Sequence, residues 1–115
     1  MHELTIASAL IQQAGEEVRR AGQSGRVVRL EVQVGRLSGV NPDSLQFAFG
    51  LLAAEGGMAG SALAIVQPPA ACACRACGTR SEIDQIVVQC PVCGSPEVTI
   101  EGGRELLLQS IELEE

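Results

Sequence analysis

The chain has 115 residues, 46% of them hydrophobic, a net charge of −6 and five cysteines, which is the size and composition of one small globular protein with enough apolar residues for a core. All eight cations are arginines with no run longer than Arg19-Arg20, and Phe47 and Phe49 are the only aromatic residues, so the electrostatic footprint and the stacking platform of a nucleic-acid binder are both missing. No apolar run approaches the roughly 18 residues of a membrane span, and the first residues carry neither the basic nor the apolar region of a secretory leader, so neither nucleic acid nor membrane is an expected partner and the expected location is the cytoplasm.

From Leu4 to Ala21, the residues Leu4, Ala7, Ile11, Ala14, Val18 and Ala21 recur at steps of three and four, which places them on one stripe of a helix. Gly22 offers a stop, and Gly15 inside the pattern weakens the helix by about 1 kcal/mol relative to alanine, leaving its stability to packing. Val28, Leu30, Val32 and Val34 then alternate with Arg29, Glu31 and Gln33, the pattern of a half-buried strand. A turn region follows from Gly35 to Gly39. Asn41-Pro42-Asp43 combines an N-cap, a proline for the first helical position and an acid for the first turn. The second helix begins there and presents Leu45, Ala48, Phe49 and Leu52 on one face before Gly56-Gly57. Ala62 to Gln67 reads as another strand, closed by Pro68-Pro69.

The segment from Ala70 to Gly103 holds all five cysteines, Cys72, Cys74, Cys77, Cys90 and Cys93, within 22 consecutive positions. That clustering suits a metal site in a reducing compartment better than a disulfide framework. Cys74-x2-Cys77 and Cys90-x2-Cys93 stand twelve residues apart, and two such turns can bring four thiolates to the corners of the tetrahedron that Zn²⁺ accepts. Four cysteines leave no open position for water, so the expected role is structural, and the paired motifs argue against a redox function. Gly78 and Gly94 follow the second cysteine of each pair, where a knuckle turn needs positive φ, and Pro91 stiffens the second turn. A module of this size does not fold on apolar burial alone, whereas zinc binding supplies on the order of 10 kcal/mol. Cys72 is expected as a small buried thiol beside the site. Leu106 to Leu113 returns to strand composition, with imperfect parity that suggests a bulge or a doubly covered section, and is expected to rejoin the first two strands. The order is therefore an α+β unit of two helices on a three-stranded sheet, residues 1–69 plus 104–115, with a zinc-ribbon domain, residues 70–103, inserted before its last strand.

One histidine, His2, lies beside the amino terminus. The free α-amine of Met1, the backbone nitrogen of His2 and its imidazole can close adjacent chelate rings around one ion, with the backbone nitrogen of Glu3 at a fourth corner. Nitrogen donors in a plane suit Ni²⁺ or Cu²⁺. Such a site requires that Met1 be retained, and the bulk of His2 hinders its removal. Taken together, the "MHE" start, the "VGRLSGVNPDSLQFAF" stretch, the "CACRACG…CPVCG" module and the closing "GRELLLQSIELEE" resemble the HypA/HybF family of hydrogenase-maturation nickel metallochaperones over essentially the whole chain. The resemblance implies nickel ligands at Met1, His2 and Glu3, with Ni(II) as transient cargo, and structural Zn(II) on Cys74, Cys77, Cys90 and Cys93. It further implies as partners the maturation GTPase HypB, the large subunit of a [NiFe]-hydrogenase and, in some organisms, urease maturation.

The expected function is thus a non-enzymatic nickel carrier. The competing reading is a zinc-ribbon adaptor for other proteins; Arg75 and Arg80 within the module are outnumbered by Glu82, Asp84, Glu97 and Glu101, which disfavours a nucleic-acid version. No Ser/His/Asp set, phosphate-cradling glycine loop or open metal site supports an enzyme.

Overall fold

The computed structural model describes residues 2–114. In chain order the elements are α1 (Glu3–Arg20), β1 (Arg26–Val34), α2 (Pro42–Glu55), β2 (Ala62–Val66), β3 (Ala70–Cys74), β4 (Arg80–Ile83), β5 (Val98–Gly102) and β6 (Leu106–Glu114). They form two compact units. The first comprises Met1–Gln33, Val40–Val66 and Leu107–Glu115, and the second Val34–Gly39 and Gln67–Leu106.

The first unit is two helices and a sheet in the order β2-β1-β6. β1 and β2 run parallel, with Leu30 opposite Leu63 and Val32 opposite Ile65, and parallel neighbours need a crossover, here supplied by α2. The expected last strand joins the sheet on the other side of β1, so β1 is central and its Leu30, Val32 and Val34 are fully buried. Asn41 caps α2 as expected: its Oδ1 accepts the Ser44 N–H at 3.0 Å, and Pro42 opens the helix. The buried face of α2 is Leu45, Ala48, Phe49 and Ala53, one residue beyond the expected Leu52, which is half-buried. In α1, Ala7, Leu10, Ile11 and Ala14 are buried; Leu10, off the expected stripe, widens the packed face, while Leu4 on that stripe is 57% exposed. The two helices pack against each other, so closely that a Cβ on Gly56 would sit 2.7 Å from Ile11 Cγ2. Along β6 the half-buried positions are Leu108, Ile111 and Leu113. Their spacing of three, then two, is the break in parity that the sequence suggests.

The second unit is an antiparallel sheet in the order β4-β3-β5. Its core is small: Ala70, Cys72 and Ile83 are buried, with Leu37, Val87, Val98 and Ile100 packed against them. The short segment Val34–Gly39 belongs to this unit because it is stitched into it by backbone bonds. The Gly35 N–H donates to Glu105 O at 2.8 Å, Arg36 N–H to Pro68 O at 3.1 Å and Leu37 N–H to Gly103 O at 2.6 Å. Gly35 lies so close to Gly103 that any Cβ there would overlap the Gly103 carbonyl. Gly35→Ala is therefore expected to destabilise the protein by about 1–3 kcal/mol, the usual range for overpacking. Gly50→Ala, placed in an α2 position with open space around it, should stabilise by about 0.5–1 kcal/mol. Urea midpoints of the two variants, shifted in opposite directions, check both.

Candidate metal centre

β3 delivers Cys74 at its last residue, and the turn that follows returns Cys77; the corresponding turn at the second pair places Cys90 and Cys93. The four Sγ atoms lie within 4.8 Å of one another. Cys74 and Cys93 are 3.6 Å apart, and Cys77 and Cys90 3.8 Å. A tetrahedral ion with bonds of about 2.3 Å to sulfur requires edges of roughly 3.8 Å, so this donor set fits zinc in both chemistry and spacing.

The backbone around the sulfurs is arranged to hold thiolates. Cys77 N–H donates to Cys74 Sγ at 3.4 Å, Val92 N–H to Cys90 Sγ at 3.3 Å and Cys93 N–H to Cys90 Sγ at 3.4 Å. Each knuckle closes through its glycine: Gly78 N–H reaches Cys74 O and Gly94 N–H reaches Cys90 O. Both glycines have the expected positive φ, 76° and 79°, a conformation that other residues adopt only under strain. The hydroxyl and backbone N–H of Thr79 pull the Cys77 thiol down to about 6, and the N–H groups of Cys93 and Val92 lower that of Cys90. Cys93 behaves differently. The Ser95 N–H favours its thiolate, but hydrogen bonding to Cys74, burial and the neighbouring sulfurs outweigh this and raise it to about 12. Four crowded sulfurs cannot all ionise without a cation to balance them. Cys72 stands outside the group, buried in the core of the second unit, where burial raises its thiol.

At the other candidate site, Met1 lies outside the described residues. His2 is exposed and occupies the N-cap of α1 without a side-chain cap bond. Helix geometry leaves the backbone N–H groups of His2, Glu3, Leu4 and Thr5 without intrahelical acceptors, so these nitrogens can change role without breaking the helix. Glu3, half-buried, directs its Oε2 to the backbone N–H of Asn41 at 3.1 Å. That bond, reinforced by Glu3's own N–H, holds its carboxyl below the usual carboxylate range. The Asn41 contact has no signature in the sequence, because it joins residues 38 positions apart. Beside His2 and Glu3 an open cavity of about 700 Å³ is walled by Leu4, Asp43, Phe47 and Leu51. Among the described residues the four cysteines are the only group of three or more His, Cys, Asp or Glu side chains close enough to share an ion. Among the described residues, side chains alone therefore do not compose a second site.

The family model described as "Hydrogenase/urease nickel incorporation, metallochaperone, hypA" matches residues 1–113. A Hydrogenase maturation factor HypA of Chlorobium limicola is 38% identical over 116 residues, covering 100% of this chain and 98% of that one. The factor of the same name from Shewanella oneidensis is 36% identical over 115 residues, covering 100% and 97%. Among solved structures, the solution structure of the Ni metallochaperone HypA from Helicobacter pylori superposes with a TM-score of 0.66 at 27% identity, covering 98% of this chain and 97% of that one. Among the described residues, no helix is long and apolar enough to cross a membrane.

Proposed function

The chain belongs to the HypA family of nickel-incorporation metallochaperones, maturation factors rather than enzymes, and from that premise we propose that it carries Ni(II) at its amino terminus and delivers it to a [NiFe]-hydrogenase precursor in the cytoplasm. Met1, His2 and Glu3 supply the nickel donors: the α-amine, the backbone nitrogens of His2 and Glu3, and the His2 imidazole. The supporting observation is that His2 and Glu3 sit at the N-cap and first residue of α1, where backbone nitrogens have no helical acceptor to lose. Negative charge created by deprotonating them is moreover favoured at a helix N-terminus. Residues 1–69 plus 104–115 act as the nickel domain. Residues 70–103 form a zinc ribbon in which Cys74, Cys77, Cys90 and Cys93 hold structural Zn(II), an assignment supported by the tetrahedral spacing of the sulfurs. The maturation GTPase HypB and the hydrogenase large subunit are the proposed partners, with urease maturation as a second destination.

The mechanism is ligand exchange. Protons compete for the amine, the amides and the imidazole, so nickel affinity falls as pH drops, and an exposed His2 allows a recipient's ligands to approach the ion. The test is nickel titration of zinc-loaded protein with an authentic N-terminus. His2→Ala and a variant with one residue added before Met1 should each abolish stoichiometric nickel binding, with zinc unchanged at one per chain. Full nickel binding in both variants would instead favour the zinc-ribbon adaptor.

A further inference from the structure

The Glu3 carboxylate has a structural role of its own, because its Oε2 accepts a backbone N–H from another element, that of Asn41. We propose that Glu3 contributes to nickel capture as a positioning residue: its carboxylate ties the first turn of α1 to the N-cap of α2 through the Asn41 N–H, and so presets the backbone of residues 2 and 3. This rests on the amino-terminal nickel reading above and assigns the Glu3 side chain a role other than ligation.

Three observations carry it. Chain ends fray unless tied down, and α1 begins without the side-chain cap that normally secures a first turn; the His2 carbonyl accepts the Ile6 N–H at 3.0 Å. The anchor point is itself rigid. Asn41 accepts Ser44 N–H through Oδ1 at 3.0 Å and Leu45 N–H through its carbonyl at 3.0 Å, while Leu45 is fully buried. Asn41 therefore offers its own N–H from a fixed position, and the carboxylate meets it at 3.1 Å with charge assistance. Finally, chelation by consecutive backbone nitrogens must immobilise residues 2 and 3. A tether that already restrains the first turn lowers the ordering entropy that capture has to offset, so Glu3 raises affinity without touching the ion.

Glutamine retains an oxygen acceptor of the same reach and alanine does not. The experiment is nickel titration of the full-length, zinc-loaded protein, followed by the absorption band of planar Ni(II), for Glu3→Ala, Glu3→Gln, Asn41→Pro and Asn41→Ala. Asn41→Pro removes the donor at a φ of −82° that proline tolerates, and Asn41→Ala keeps the donor while removing the α2 cap. Glu3→Ala and Asn41→Pro should each weaken nickel binding on the order of tenfold, without additivity in the double variant and with the band unchanged, because every nitrogen donor remains. Glu3→Gln should restore binding, and Asn41→Ala should bind more tightly than Asn41→Pro. In metal-free protein, amide exchange at Asn41 should accelerate in Glu3→Ala and not in Glu3→Gln. Wild-type affinity in Glu3→Ala overturns the proposal. So does loss of affinity in Glu3→Gln equal to that in Glu3→Ala, with an altered band, since that marks the carboxylate as a ligand. Failure of the nickel reading itself shows differently, as wild-type binding that ignores an added residue before Met1.

Discussion

Cys90→Ser should unfold the second unit as a whole, with loss of bound zinc and collapse of its amide dispersion in NMR spectra, while signals from α1 and α2 persist. The size of the effect follows from how little else holds that unit together. Its core is three buried residues, Ala70, Cys72 and Ile83, and a module of so few apolar contacts is not stable by burial alone. Zinc on four thiolates contributes on the order of 10 kcal/mol, and serine is a poor replacement for a soft sulfur donor. Cys90 is also 2% exposed and accepts the N–H groups of Val92 and Cys93, so the substitution disturbs the knuckle as well as the ion. A strong chelator added to the wild-type protein should reproduce the result. The sign of the pH dependence is fixed by the thiols. Without the ion, Cys77 is lowered to about 6 and Cys93 raised to about 12, so at neutral pH the former is mostly thiolate and the latter mostly thiol. Zinc binding must then release protons, and zinc affinity must rise with pH. Proton release measured on zinc addition in weakly buffered solution checks this.

The first unit has a different weak point. Phe49→Ala should cost about 3–5 kcal/mol, the range for removing a buried aromatic ring. Phe49 is 1% exposed and is the one aromatic side chain in a core otherwise filled by aliphatic residues such as Leu10, Ile11, Leu30, Leu45 and Leu63, with Met58. No aromatic neighbour can swing in to fill the space, and close-packed aliphatic side chains relax only partly around a void. With native stabilities of about 5–15 kcal/mol, such a loss leaves a large unfolded fraction. Phe47→Ala is the internal control: the side chain is 70% exposed, and its truncation should change stability by less than about 0.5 kcal/mol. Urea unfolding followed by far-ultraviolet circular dichroism separates the two.

The elements of this fold are legible where short-range chemistry dictates them. Asn41-Pro42-Asp43 announces the start of α2 because a cap, a fixed φ and a helix dipole act within four residues. The two CxxC pairs announce the metal site because the ion imposes its geometry on the spacing. What escapes are pairings across long stretches of chain. Gly35 looks like an ordinary turn glycine; its actual constraint is the Gly103 carbonyl, far along the sequence. Glu3 looks like a favourable acid at a helix start, whereas its carboxylate is taken up by the Asn41 N–H. Leu10 falls outside a stripe drawn from steps of three and four, and it is buried because α1 packs over a wider face than one row of side chains provides. Backbone donors and acceptors carry no residue identity, so no motif records which of them will meet.

The position of β6 beside β1 has a consequence for biosynthesis. Ribosomes release β1, α2 and β2 well before β6, with the whole of β3, β4 and β5 emerging in between. Throughout that interval one flank of β1 displays unsatisfied amides and carbonyls, an invitation to wrong partners on a crowded polysome. Slow zinc supply that delays the intervening segment from compacting would lengthen the exposure, making metal starvation during translation a route to aggregation of newly made chains.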